Sequence, residues 1–99
     1  MSAKEILDSA FCQRFPFFKD SAIWQEMPIK WRALFGKEFL EGLRDIYLRM
    51  TPEEKENFYV LQTKEKYGEM RVYCSSYNEE VEKFINIYKE LSKEYPLNV

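Results

Sequence analysis

The stretch Gln62-Thr63-Lys64-Glu65-Lys66-Tyr67-Gly68-Glu69-Met70-Arg71-Val72-Tyr73 constrains the fold more than any other in the chain. Aromatic and β-branched residues gather in Phe58 to Thr63 and again in Met70 to Cys74. Lys64 to Glu69 lies between them with a single Gly near its end, which is the pattern of a β-hairpin. Gly68 suits a left-handed position in the connecting loop. A four-residue loop, Glu65-Lys66-Tyr67-Gly68, sets Lys64 opposite Glu69, Gln62 opposite Arg71, Leu61 opposite Val72 and Thr63 opposite Met70. Strand alternation then puts Leu61, Thr63, Met70, Val72 and Cys74 on one face, and Val60, Gln62, Lys64, Glu69, Arg71 and Tyr73 on the other. A two-residue loop at Tyr67-Gly68 keeps those faces but sets Lys64 against Arg71. Like charges directly opposite each other are destabilising, so the four-residue loop is the expected one.

An isolated two-stranded hairpin is not stable in water, so its apolar face needs helices. Ser2 with Glu5 reads as a capping box opening a helix over residues 3–11, with a stripe of Ile6, Leu7, Ala10 and Phe11. Pro16, within Arg14-Phe15-Pro16-Phe17-Phe18, ends it. Asp20 caps a short helix through Met27 that carries Ile23 and Trp24, and Pro28 suits the first position of the next. Trp31, Leu34, Phe35, Phe39, Leu40, Leu43, Ile46, Tyr47 and Met50 then recur at helical spacing, the strongest such pattern in the chain. Gly36 is placed to kink or split this helix. Thr51-Pro52-Glu53-Glu54 starts another helix, of one or two turns. After the hairpin, Ser76 with Glu79 reads as a capping box, and Val81, Phe84, Ile85, Tyr88 and Leu91 mark a final helix ending near Glu94. The order is α-α-α-α-β-β-α, an α+β fold. It places several helices, chiefly those at 37–50 and 77–94, on one face of a small antiparallel hairpin sheet. The other face and both strand edges are expected to stay open.

The 99 residues fit one compact domain, 1–99, without repeat or linker. An aromatic content of 17% supplies the rings for its core, including Phe15, Phe17, Phe18, Trp24 and Trp31. The chain has no histidine, which removes Ser/His and Cys/His catalysis and nearly all zinc sites. Cys12 and Cys74, far apart in sequence, read as reduced apolar residues rather than a disulfide. Glu53, Glu54 and Glu56 are accounted for by the helix dipole rather than by carboxylate chemistry. The N-terminal residues lack the apolar run of a signal peptide, and no apolar stretch approaches membrane-spanning length. The expectation is a soluble cytoplasmic protein that is not an enzyme and takes no cofactor or metal.

Val60 to Ser76 resembles the signature of a family of small uncharacterised phage and bacterial proteins. These read roughly V-x-Q-x-K-E-K-[FY]-G-x-[LM]-R-[FV]-Y, followed by a helix. Their upstream Trp opening an amphipathic helix is matched by Trp31, so the resemblance covers about residues 31–92. Many members end in a Cys-x-x-Cys-Gly metal knuckle. This chain reads Lys93-Glu94-Tyr95-Pro96-Leu97-Asn98-Val99 there, so the metal site does not carry over. The resemblance implies a phage or prophage origin and brings no activity with it.

The candidate site is the outward face of the hairpin: Lys64, Arg71 and Tyr73, joined by Lys66 and Tyr67 at the loop. A planar cation beside a rigid ring suits recognition of a protein partner, in the manner of an inhibitor or modulator of a host protein. The alternative is a nucleic-acid accessory in which the cations meet phosphates and the ring stacks on a base. A net charge of −2 favours the protein partner. Homo-oligomerisation through exposed strand edges is the further expectation.

Overall fold

The computed structural model describes residues 3–97, with side chains from residue 8 onward. The Ser2–Glu5 capping box and the Ile6 and Leu7 positions of the first stripe lie outside the residues whose side chains are described. Helix α1 spans Ala3–Arg14, a turn beyond the expected end. Phe15 still donates its N–H to the Phe11 carbonyl at 2.8 Å. Pro16 then ends the helical ladder, and the turn swings Phe15, Phe17 and Phe18 into the core. Asp20 caps α2 (Ser21–Gln25), its carboxylate accepting from the Ala22 N–H at 2.9 Å.

The long apolar stripe forms α3 (Ile29–Trp31), a π-helical turn (Arg32–Gly36) and α4 (Lys37–Leu48). The break falls at Phe35, with φ −145° and ψ 15°, beside the glycine expected to split the helix. Gly36 packs closely beside it: a Cβ there would stand 3.0 Å from the Trp24 ring. The kink shifts the stripe's phase. Trp31 and Phe35 are buried, whereas Leu34, expected inside, faces solvent. Thr51 and Glu54 complete their capping box at the start of α5 (Pro52–Asn57).

Strands β1 (Val60–Lys66) and β2 (Glu69–Cys74) form the antiparallel hairpin, giving the α+β architecture. The pairing differs from the expected one. Lys66 faces Glu69, Lys64 faces Arg71 and Thr63 faces Val72, so the loop is the two-residue Tyr67-Gly68 turn. Both turn residues have positive φ, 57° and 78°, the type I′ geometry whose twist matches that of the strands. That match outweighs the like-charge pair, because the two cations diverge. The Lys64 ammonium lies over the Tyr73 ring at 5.4 Å and Arg71 turns to Glu69. A second departure lies at Leu61. The register slips between Val60 and Gln62, a β-bulge that turns Val60 inward and leaves Leu61 exposed. The buried face is therefore Val60, Thr63, Met70, Val72 and Cys74.

Helix α6 (Glu79–Ser92) packs along β2. Asn78, not Ser76, caps it, accepting from the Val81 N–H at 2.7 Å with the extended backbone a cap requires. Val81 is fully buried, with Phe84, Ile85, Tyr88 and Leu91 packed against the core as the stripe predicts. The strand edges are not left open. Ser92 Oγ accepts from the Met70 N–H, and the Tyr77 hydroxyl accepts from the Cys74 N–H, both at 2.8 Å. On β1, Val60 donates to the Phe17 carbonyl at 2.8 Å and Thr63 Oγ1 to the Ile23 carbonyl at 2.5 Å. The α2 segment thus lines β1, a place expected of the 37–50 helix. Instead α4 packs on α6, where Gly42 admits the Phe84 ring: a Cβ there would sit 2.5 Å from it. Edge-to-edge pairing with another chain would have to displace these contacts.

Candidate functional site

The hairpin turn displays Tyr67 at 85% exposure, with φ 57°. Left-handed backbone is the ground of Gly, Asn and Asp, and a bulky residue there costs on the order of 1 kcal/mol. The next residue, Gly68, supplies the second positive φ without that cost and donates its N–H to Glu65 Oε2 at 2.7 Å. The Lys66 ammonium stands 5.5 Å from the Tyr67 ring centroid, a cation–π pair in water. Nothing is buried in return for the strain at Tyr67.

Behind the tip, Lys64, Arg71 and Tyr73 share the outward face, as strand alternation predicts. All five expected residues therefore lie on the outward face or at the tip. Arg71 has a second role that the sequence reading missed. It forms an ion pair with Glu69, which is buried although alternation places it on the outward face. The reason is α6. Lys93 Nζ lies 3.4 Å and Lys89 Nζ 3.8 Å from the Glu69 carboxylate, and the helix covers it. Desolvation pushes this carboxyl upward. The Lys93 hydrogen bond and the charges of Arg71, Lys89 and Lys93 outweigh that push and hold its pKa below the ordinary 4.5. The sequence signal was the spacing of Lys89 and Lys93, one turn apart at the end of a helix that must return along the hairpin.

Arg71 remains incompletely satisfied, since its Nε is buried and has no hydrogen-bond partner. A groove of about 220 Å³ runs between β2 and α6, lined by Arg71, Tyr73, Ile85, Asn86 and Lys89 among others. Among the described residues, no three His, Cys, Asp or Glu side chains are grouped to hold a metal. Both cysteines are free; burial pushes the Cys74 thiol up to about 12. Burial, then Asp20 and Asp8, also raise Cys12, so neither thiol is primed as a nucleophile near neutrality. No described helix is long and apolar enough to cross a membrane.

No family model matches the chain, and no curated protein or solved structure is significantly similar to it.

Proposed function

We propose that this protein acts by binding another protein through the tip and outward face of its hairpin, without catalysis and in the cytoplasm. The observation that carries this reading is Tyr67: an aromatic ring in solvent, on backbone that disfavours it, in a turn where Asn or Gly would fold better. Strain that folding does not use points to recognition, and Tyr is among the residue types most enriched at interface hot spots. Lys66, Lys64, Arg71 and Tyr73 extend the same surface. The resemblance of Val60–Ser76 to phage and bacterial proteins supports a setting in which the partner is a host protein that is inhibited or modulated.

The test is a pulldown from host lysate with the tagged full chain and its Tyr67→Asn variant, each with and without nuclease. The expected result is a protein captured by the wild type, unaffected by nuclease, and lost with Tyr67→Asn while circular dichroism and melting temperature are preserved. Capture abolished by nuclease would replace this reading with nucleic-acid binding. Full capture by folded Tyr67→Asn would move the binding surface away from the tip.

A further inference from the structure

Helices α4 and α6 run antiparallel: Phe39 meets Tyr88, Gly42 meets Phe84, and Arg49 forms an ion pair with Glu80. A groove of about 390 Å³ lies along their seam. Stepping from the Arg49–Glu80 pair by one turn on each helix brings Asp45 level with Lys83, and the next turn brings Gly42 level with Ile87. All six residues line the groove. The fold leaves these rungs partly unused. Asp45 is exposed and makes no ion pair among the described residues. Lys83 reaches Glu79 of its own helix at 3.0 Å, an exposed contact that holds weakly. Ile87 is 62% exposed and takes no part in the core. At Gly42 the α4 wall has no side chain, and the Phe84 ring forms the floor beside it.

From this we infer that a second copy of this chain seats on the α4–α6 groove, forming a two-fold dimer whose axis runs along the helices. Such an axis lays α4 of one copy over α6 of the other at the same level. Asp45 then stands over Lys83 of the second copy and Arg49 over its Glu80, each charge against its opposite, and symmetry repeats both contacts. The face is complementary to itself because each charged rung carries opposite signs on the two helices. Ile87 comes over Gly42 of the second copy, the one position in α4 without a side chain, and rests against the Phe84 ring. A two-fold axis across the helices sets α4 on α4 instead, and full overlap then takes Asp45 away from Lys83 and Ile87 away from Gly42. Two helices of 12 and 14 residues offer a face about 20 Å on each side, roughly 400 Å², below the ~800 Å² that each partner gives a standard interface. The dimer is therefore reversible, with a dissociation constant in the micromolar range or weaker. A net charge of −2 sets little general repulsion against it.

The experiment is sedimentation equilibrium of the full chain over roughly 10 µM to 1 mM. It uses the wild type, Asp45→Lys, Lys83→Glu, Ile87→Asp, and an equimolar mixture of the two charge reversals. All three positions are exposed, so each variant keeps the circular dichroism spectrum of the wild type. The wild type moves from monomer to dimer as concentration rises. Either reversal alone opposes like charges at both symmetric contacts and weakens the dimer on the order of tenfold or more. In the mixture each copy supplies the sign that the other lacks, and a heterodimer forms with an affinity within about threefold of the wild type. Ile87→Asp stays monomeric. A wild type that is monomeric throughout overturns the inference and leaves the groove to another partner or to solvent. Single reversals that assemble like wild type, or a mixture that assembles no better than either reversal alone, overturn it as well. The hairpin tip takes no part in this face, so this measurement and the lysate pulldown succeed or fail independently.

Discussion

At its base the hairpin is tied to the rest of the chain through its backbone. Val60 donates to Phe17, Ser75 donates to the Tyr59 carbonyl at 2.9 Å, and Ser75 Oγ bridges the Tyr59 N–H and the Asn57 carbonyl. At the turn itself the restraint seen among the described residues is local, from Gly68 to Glu65. The base buries Val60 almost completely, and the tip leaves Tyr67 almost bare. The same two strands thus carry one end whose residues are dictated by folding and another whose residues are not. Composition at the base answers to burial and hydrogen bonding; burial does not set the composition of the turn.

That contrast can be tested position by position. Val72→Asp places a carboxylate in the buried face near the middle of β2 and should cost about 3 kcal/mol or more. Thermal denaturation should then show a melting temperature lower by more than ~10 °C. A shift of a degree or two would mean that this face is not the one that holds the fold. The Glu69 cluster comes next. The folded-state pKa is depressed, so the carboxylate's contribution is fully present above pH 4.5 and is lost as pH falls through the folded value. Urea titrations at descending pH should show this loss in the wild type and a shallower acid limb in Glu69→Gln. Equal acid limbs would remove Glu69 from the stabilising set. At the tip the effects shrink. Gly68→Ala meets no atom within 4 Å, so its cost of about 1 kcal/mol is purely that of positive φ. Tyr67→Asn should leave stability unchanged or raise it by a few tenths of a kcal/mol, read as an equal or slightly higher urea midpoint. A marked loss of stability in Tyr67→Asn would show that the ring serves the fold after all.

Local signals were the ones legible in the sequence. The Thr51 cap, the Asp20 cap, the Pro16 break and the α6 stripe each depend on a few neighbouring residues, and each stands in the structure. The aromatic cluster from Phe15 to Trp31 was legible as core for the same reason. Pairing was harder to read. The loop length was decided by turn twist against charge repulsion, and the repulsion was overestimated because Lys64 and Arg71 each find another neighbour. The bulge at Leu61 has no mark in the local pattern, since Val60 and Leu61 are both apolar and the Val60 N–H bond to the Phe17 carbonyl joins residues far apart in sequence. Alternation alone put Lys64, Arg71 and Tyr73 on one face, whereas Lys66, expected in the loop, ends β1 and only Tyr67 lies in the turn. The burial of Glu69 was not legible from the strand, because it depends on lysines that follow it by a whole helical span.

The break at Phe35 divides the stripe from Ile29 to Leu48 into two helical pieces that need not share one phase. In an unbroken α-helix each residue advances the face by about 100°, so the direction of Trp31 would be dictated by that of Phe39. The kink removes that constraint. Trp31 Nε1 donates to the Tyr95 carbonyl at 2.8 Å and Lys30 to the carbonyl of Pro96 at 2.7 Å, while α4 presents Phe39, Leu40, Leu43 and Ile46 to the core. One non-helical residue thus lets a single stripe serve two orientations: the indole that fastens the segment after α6, and the face that α4 turns inward.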